Sequence, residues 1–391
     1  MASSKAQSSK SSTLTCFAVT APGIEAICAR ELEQLGVRPT IEDGVGVTWN
    51  GDSGLVAAAN LWLRTASRVL VRIAEFRAKT FFELERSARK IDWERFVSPG
   101  GGVRFRVTCR KSKLYHSGAV AQRFAEAVAH RVSGAAAGAA PSEDDDDSAA
   151  PGQLFVVRFL HDVCTVSVDS SGELLHRRGY RLAVAKAPLR ETLAAAMLLG
   201  AGWTGEIPLV DPMCGSGTIP IEAARLARRM APGRDRRFAF LEWPETNPGA
   251  WKARLEQAHE SELPRSPVSI SGADRDRGAI DAARANAERA GVTQDIDLRV
   301  EPISALSQDE TRGLIVSNPP YGTRVGERDR LRNLYAQLGN VAKKNRPEWS
   351  LALLLSDRQL EAQVGVPFRE VFETRNGGIP VRLVMAPRLS R

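Results

Sequence analysis

Three stretches of the sequence set chemistry-bearing residues directly after short apolar runs. Asp211-Pro212-Met213-Cys214-Gly215-Ser216-Gly217-Thr218 follows "EIPLV", Asp274-Arg275 follows "VSISGA", and Asn318-Pro319-Pro320-Tyr321 follows "GLIVS". Gly215 and Gly217 let the backbone turn sharply and approach a ligand, and Thr218 can open a helix whose first N–H groups face a pocket. Asp274 can accept both hydroxyls of a ribose or cap the next helix, and Asp274 and Asp276 can serve both uses at once. The two prolines withhold two backbone donors and fix φ, so Asn318 and its neighbouring carbonyls leave a strand in a rigid, extended form. The bland reading of that stretch is a stiff turn between a strand and a helix. No Lys follows the glycines, which excludes a P-loop, and Pro220 stands where a dinucleotide fingerprint needs its third glycine. Cys214 has no His near it in sequence and reads as a pocket-lining thiol.

The elements that must hold these residues follow from periodicity. From about residue 187, apolar strands at 206–211, 268–274, 295–300, 313–318 and 350–357 alternate with amphipathic helices, and a hairpin forms around Asn376-Gly377-Gly378. That pattern predicts an α/β domain with a mostly parallel sheet covered on both faces and an antiparallel pair at its end. Ligands of such sheets sit beyond the carboxyl ends of the strands. The three stretches therefore share one edge, and together they are far more specific than any one of them. Ahead of this domain, a helix over 21–36, strands at 68–76 and 103–110, and a hairpin turning at His161-Asp162 predict a mixed α+β half of two small units. The stretch 134–152 is small, acidic and proline-bounded, and reads as a flexible insertion.

With 391 residues, the chain should hold two or three domains. Its 43% hydrophobic and 26% charged residues describe a globular protein, and no apolar run reaches the roughly 18 residues of a membrane span. The Ser-rich first residues read as a disordered tail and not as a secretory signal, so the expected location is the cytoplasm. The five cysteines form no Cys-x-x-Cys pair, so neither a zinc site nor a disulfide framework is indicated, and no metal is expected. The formal charge of +8 favours an anionic partner. Arg104, Arg106, Arg110, Lys111 and Lys113 form one basic cluster, Arg177, Arg178, Arg181, Lys186 and Arg190 a second, and Arg225 to Arg237 a third. The three together favour RNA or DNA, and the first cluster with Arg177, Arg178 and Arg181 is expected to position it.

On the residues above, the chain resembles the class I S-adenosylmethionine-dependent methyltransferases that modify exocyclic amines. Over residues 16 to 391, "ASRVLVRI", "DSSGELLHRRGYR", "APLRETLAAAML", "DPMCGSGTIPIEAA", "NPPYGTRVG" and "NGGIPVRLVM" are similar to the THUMP-containing RNA guanine-N2 methyltransferases, chiefly the bacterial large-subunit rRNA type. The resemblance implies a tail at 1–15, a ferredoxin-like unit at 16–66, an RNA-binding THUMP domain at 67–170, a linker at 171–186 and a Rossmann-like catalytic domain at 187–391. Part of the rRNA family adds a second methyltransferase domain, which this sequence is expected to lack. Asp211 to Thr218 would hold the methionine part of S-adenosylmethionine and Asp274-Arg275 the ribose. The Asn318 side chain and the Pro319 carbonyl would accept hydrogen bonds from the guanine amine, while Tyr321 stacks on the base. The family's third motif offers an acid to adenine, but here Pro302 occupies it, with Glu301 expected to point to the other side of a regular strand. Alternatives are a tRNA guanine-N2 enzyme, a DNA adenine-N6 methyltransferase and a non-catalytic RNA-binding assembly factor.

Overall fold

A computed structural model of the chain describes residues 13–138, 151–181, 189–307, 309, 311–322 and 327–389, with 327–330 described by backbone alone. The expected tail up to residue 12, the acidic centre of the insertion, Lys186 and residues 323–326 lie outside them.

The first half contains β1 (Leu14–Val19), α1 (Glu25–Gln34), β2 (Thr40–Glu42), β3 (Gly46–Gly51), α2 (Ser53–Trp62) and β4 (Arg68–Arg77). It continues with α3 (Phe81–Ala88), β5 (Gly102–Arg110), α4 (Ser117–Arg131), β6 (Ala136–Ala137), β7 (Gln153–Leu160) and β8 (Val163–Asp169). All eight strands join one sheet in the order β2-β3-β1-β4-β8-β7-β5-β6. The expected boundary at 66/67 thus falls inside a continuous sheet, because β1 and β4 pair from Thr15–Arg72 to Val19–Arg68. His161 and Asp162 both take left-handed backbone, φ 51° and 62°, as the tight turn between β7 and β8 requires. Trp93 anchors the core beneath, with ring centroids 5.0 to 6.2 Å from Phe155, Phe124 and Phe105. Each such burial contributes about 1.5–3 kcal/mol.

The second half contains α5 (Glu191–Gly200), β9 (Leu209–Asp211), α6 (Thr218–Ala227), α7 (Pro248–Glu260), β10 (Ile270–Asp274), α8 (Arg277–Arg289) and β11 (Ile296–Val300). Then come β12 (Leu314–Ser317), α9 (Glu327–Asn345), β13 (Ser350–Leu355), α10 (Arg358–Val364), β14 (Arg369–Asn376) and β15 (Ile379–Ala386). The sheet order is β11-β10-β9-β12-β13-β15-β14, parallel from β11 to β13 and antiparallel through β15 and β14. This is the expected Rossmann-like arrangement. β9 is the middle one of the five parallel strands, so the ends of β10, β9 and β12 are adjacent where strand order reverses.

A buried polar cluster bolts the two halves together. Glu31 of α1 accepts the N–H groups of Arg64 (2.7 Å) and Thr65 (3.1 Å), and Arg64 donates onward to the Met230 carbonyl (2.7 Å). Arg178 pairs with Glu222 of α6 at 2.6 Å and donates to the Arg64 carbonyl, while the Tyr180 hydroxyl donates to the other Glu222 oxygen. Arg178 and Glu222 side chains are fully buried, so their attraction is not diluted by solvent.

Candidate active site

The glycine turn is built by packing as much as by conformational freedom. Gly215 and Gly217 have φ of +53° and +83°, and a Cβ on Gly217 would stand 2.9 Å from that of Ala283. Gly217 is therefore fixed by the contact between α6 and α8, whereas nothing lies within 4 Å of a Cβ on Gly215. From there Thr218 begins α6, with its unpaired first N–H groups at the turn.

Asp274 braces this turn from the neighbouring strand. One carboxylate oxygen accepts the Gly215 N–H and the other the Asp276 N–H, each at 3.0 Å. The capping alternative falls to Asp276, whose side chain accepts the Gly278 N–H at the start of α8. Arg275 beside it is exposed.

Asp211 ends β9 almost wholly buried at 1% exposure, and it ties the turn to the Asn-Pro-Pro-Tyr loop. Its Oδ1 accepts the Ser317 hydroxyl at 2.6 Å and the Met213 N–H at 3.1 Å. Burial, opposed by these hydrogen bonds and aided by the nearby Asp274 charge, pushes its carboxyl up to about 7. The folded chain thus holds a proton that the unfolded chain releases near 3.8. Stability from this site is fully present below that value and is lost as pH rises through about 7. Thermal unfolding between pH 5.5 and 8 should show this decline, and Asp211→Asn should flatten it; an unchanged slope would show that Asp211 does not titrate there.

Asn318 leaves β12 one residue after Ser317. Its Oδ1 accepts the Tyr321 hydroxyl at 2.5 Å, and the Tyr321 oxygen accepts from Asn376 Nδ2 at 3.0 Å. The Pro320 carbonyl accepts from the buried Tyr335 hydroxyl of α9 at 2.9 Å. Pro319 is buried and Pro320 exposed, so Pro320 meets solvent while its carbonyl is clamped by Tyr335.

Burial pushes the Cys214 thiol far up, which agrees with a pocket-lining role and removes a nucleophile. The expectation for Glu301 needs correction. β11 ends at Val300, so strand alternation no longer governs the next residues, and Glu301 and Pro302 line the same 190 Å³ cavity with Pro212, Ala273 and Ile303.

The basic residues divide. Arg110 at the end of β5 and Lys111 and Lys113 on the loop after it are exposed, Asp162 pins that loop by accepting the Lys113 N–H at 2.7 Å, and Tyr115 projects beside them at 68% exposure. Arg104 is instead buried at 5% exposure, its stem packed under Gly138, and Arg106 is half-buried. Arg178 belongs to the bolt, so neither Arg104 nor Arg178 is an RNA-facing surface. Arg181 is held by the Leu189 carbonyl (2.7 Å) and Glu191 (3.4 Å). With Arg177, Arg236 and Arg237 it lines a 920 Å³ cleft where the two halves meet, apart from the strand ends. His176 in that cleft is pushed down to about 4 by burial and by the surrounding arginines, and is neutral.

Sequence reasoning missed Ser317, Asn376 and Asn286, the last donating to the Ser216 carbonyl at 3.0 Å from the buried face of α8. Among the described residues no group of His, Cys, Asp and Glu could hold a metal, and no helix is long and apolar enough to cross a membrane.

A Rossmann-like sheet with this turn and loop on adjoining strand ends is the framework of a methyltransferase. The chain belongs to the UPF0020 family: residues 178–384 match its RMKL-like methyltransferase domain, and residues 15–70 match the RlmL ferredoxin-like domain. The Synechocystis protein slr0064, which carries an RNA-methyltransferase name, is 34% identical over 94% of this chain and 95% of its own length. A ribosomal RNA large subunit methyltransferase K/L of Syntrophotalea carbinolica is 38% identical over 94% of this chain. The chain spans about half of that relative, 53% of its length. The crystal structure of SMU.472 complexed with SAH superposes with a TM-score of 0.84 at 30% identity, covering 95% of this chain and 97% of the other.

Proposed function

We propose that the protein transfers the methyl group of S-adenosylmethionine to the exocyclic N2 amine of a guanosine in RNA, with large-subunit rRNA as the substrate. The observation that carries this is the direct Ser317–Asp211 bond, which couples the Asn-Pro-Pro-Tyr loop to the glycine turn. The names of the K/L and slr0064 relatives support RNA, and SAH in SMU.472 is the demethylated form of the proposed cofactor.

The residues present fit such a cofactor. The open space at Gly215 and the N-terminus of α6 suit a methionine carboxylate, Asp274 retains lone pairs for ribose hydroxyls, and the cavity beside Pro302 suits a base. Glu301 takes the adenine-contacting role that Pro302 cannot fill. When bound, the sulfonium supplies an already activated methyl group. The chain then needs to align a weak nucleophile, since the guanine amine's lone pair is delocalised into its ring. Asn318 Oδ1 and the Pro319 carbonyl accept the two amine hydrogens and turn the lone pair toward the methyl carbon. A carbon–nitrogen bond forms as the carbon–sulfur bond breaks, and the acidified amine proton passes to solvent. The half-exposed Tyr321 ring is the stacking surface for a base taken out of its helix. Arg110, Lys111, Lys113 and Tyr115 contact the RNA farther away, and Arg177 and Arg181 face it across the cleft.

Asp274→Ala and Glu301→Ala should each weaken S-adenosylmethionine binding by about tenfold or more in calorimetry, the cost of one charge-assisted hydrogen bond. An unchanged affinity in Glu301→Ala would return the adenine contact to backbone groups. The function is tested by transfer of labelled methyl from S-adenosylmethionine to rRNA, tRNA and DNA. Labelling of rRNA is expected, whereas selective labelling of tRNA or DNA, or no transfer to any of them, would contradict it.

A further inference from the structure

Asn376 has no part in the chemistry just described, yet the structure brings it there. It ends β14 at the outer edge of the sheet, where Gly377 and Gly378, with φ of 54° and 86°, turn the chain back into β15. Its side chain is buried at 4% exposure and donates to the Tyr321 hydroxyl, which in turn donates to Asn318 Oδ1. The three groups form a hydrogen-bond relay with one direction. Burial pushes the Tyr321 hydroxyl up to about 12, so it keeps its proton at neutral pH.

We propose that Asn376 is a positioning residue that acts through Tyr321 to fix which end of the Asn318 amide faces the methyl-accepting amine. The inference rests on the reading of Asn318 as that amine's acceptor. An amide presents an acceptor on one side and two donors on the other, at nearly equal size. If the Asn318 amide turned over, its NH₂ group would oppose the hydrogens of the incoming amine, and alignment would be lost. Turning over would also place a second N–H against the Tyr321 oxygen, already occupied by Asn376, and leave the Tyr321 proton without its acceptor in a half-buried site. The relay therefore favours the productive orientation before substrate arrives and leaves Oδ1 a second lone pair for the amine.

The relay can be reversed with almost no change of shape. In Asn376→Asp the carboxylate accepts the Tyr321 proton and draws it away from Asn318; Tyr321→Phe removes the link altogether. Each is expected to lower kcat for methyl transfer to the labelled RNA by about 10- to 100-fold, while KM for RNA and S-adenosylmethionine affinity stay within about threefold. Acting through one another, the two changes should not multiply: the double variant should be no slower than Tyr321→Phe. Full kcat in Asn376→Asp, independent multiplication of the two effects, or a loss that appears only as raised KM would overturn the relay. Near-normal turnover in Asn318→Ala would instead remove the reading on which it rests, so the two failures are distinguishable.

Discussion

Asn318→Ala is expected to lower turnover by on the order of 10²–10³-fold while cofactor affinity and thermal stability remain close to those of the parent. The magnitude follows from removing one preorganised group aimed at a transition state. The specificity follows from where Asn318 sits. Ser317, not Asn318, makes the bond to Asp211, and Tyr335 holds the Pro320 carbonyl, so the loop keeps its path when the amide is removed. Asn318→Asp keeps an acceptor at the same place and should retain more activity than Asn318→Ala. Single-turnover transfer with saturating cofactor measures both variants. Turnover of Asn318→Ala within a few-fold of the parent would remove the amide from the mechanism.

Arg178→Met is expected to destabilise the protein by about 3–5 kcal/mol, the usual cost of leaving one charge of a buried pair without its partner. Glu222 would lose its ion pair, and the Arg64 carbonyl a donor, in a site from which water is excluded. Because Glu222 lies on α6, whose first residue follows Gly217, loosening it should also weaken cofactor binding. Denaturant unfolding followed together with cofactor affinity checks both effects. A variant of parental stability that only bound RNA less well would restore Arg178 to the surface role its basic neighbours suggest.

The catalytic half was legible because local signals and tertiary outcome agree there. Apolar runs ending in Asp211, Asp274 and Asn318 became β9, β10 and β12, and their parallel pairing put the three ends side by side. Helix α7 was not expected: Asn247 caps it and Pro248 stands in its first turn, yet it buries only Ala258 and so lacks an apolar period to read. What failed were inferences from charge and alternation. Arg104 alternates with apolar residues as a solvent-facing position would, but the segment at Gly138 covers that face. Arg178 sits in a run of cations, and only the approach of α6 shows that it is buried. Ser317–Asp211, Asn286–Ser216 and Asn376–Tyr321 join residues 106, 70 and 55 positions apart, distances over which a single sequence carries no pairing signal.

The geometry at Asn318 would serve any planar exocyclic amine, so the identity of the methylated nucleoside is the most direct test. RNA and DNA methylated with labelled S-adenosylmethionine can be digested and the nucleosides separated by mass. Label in N2-methylguanosine from rRNA is the expected result. Label in N6-methyladenosine, or in DNA alone, would contradict it.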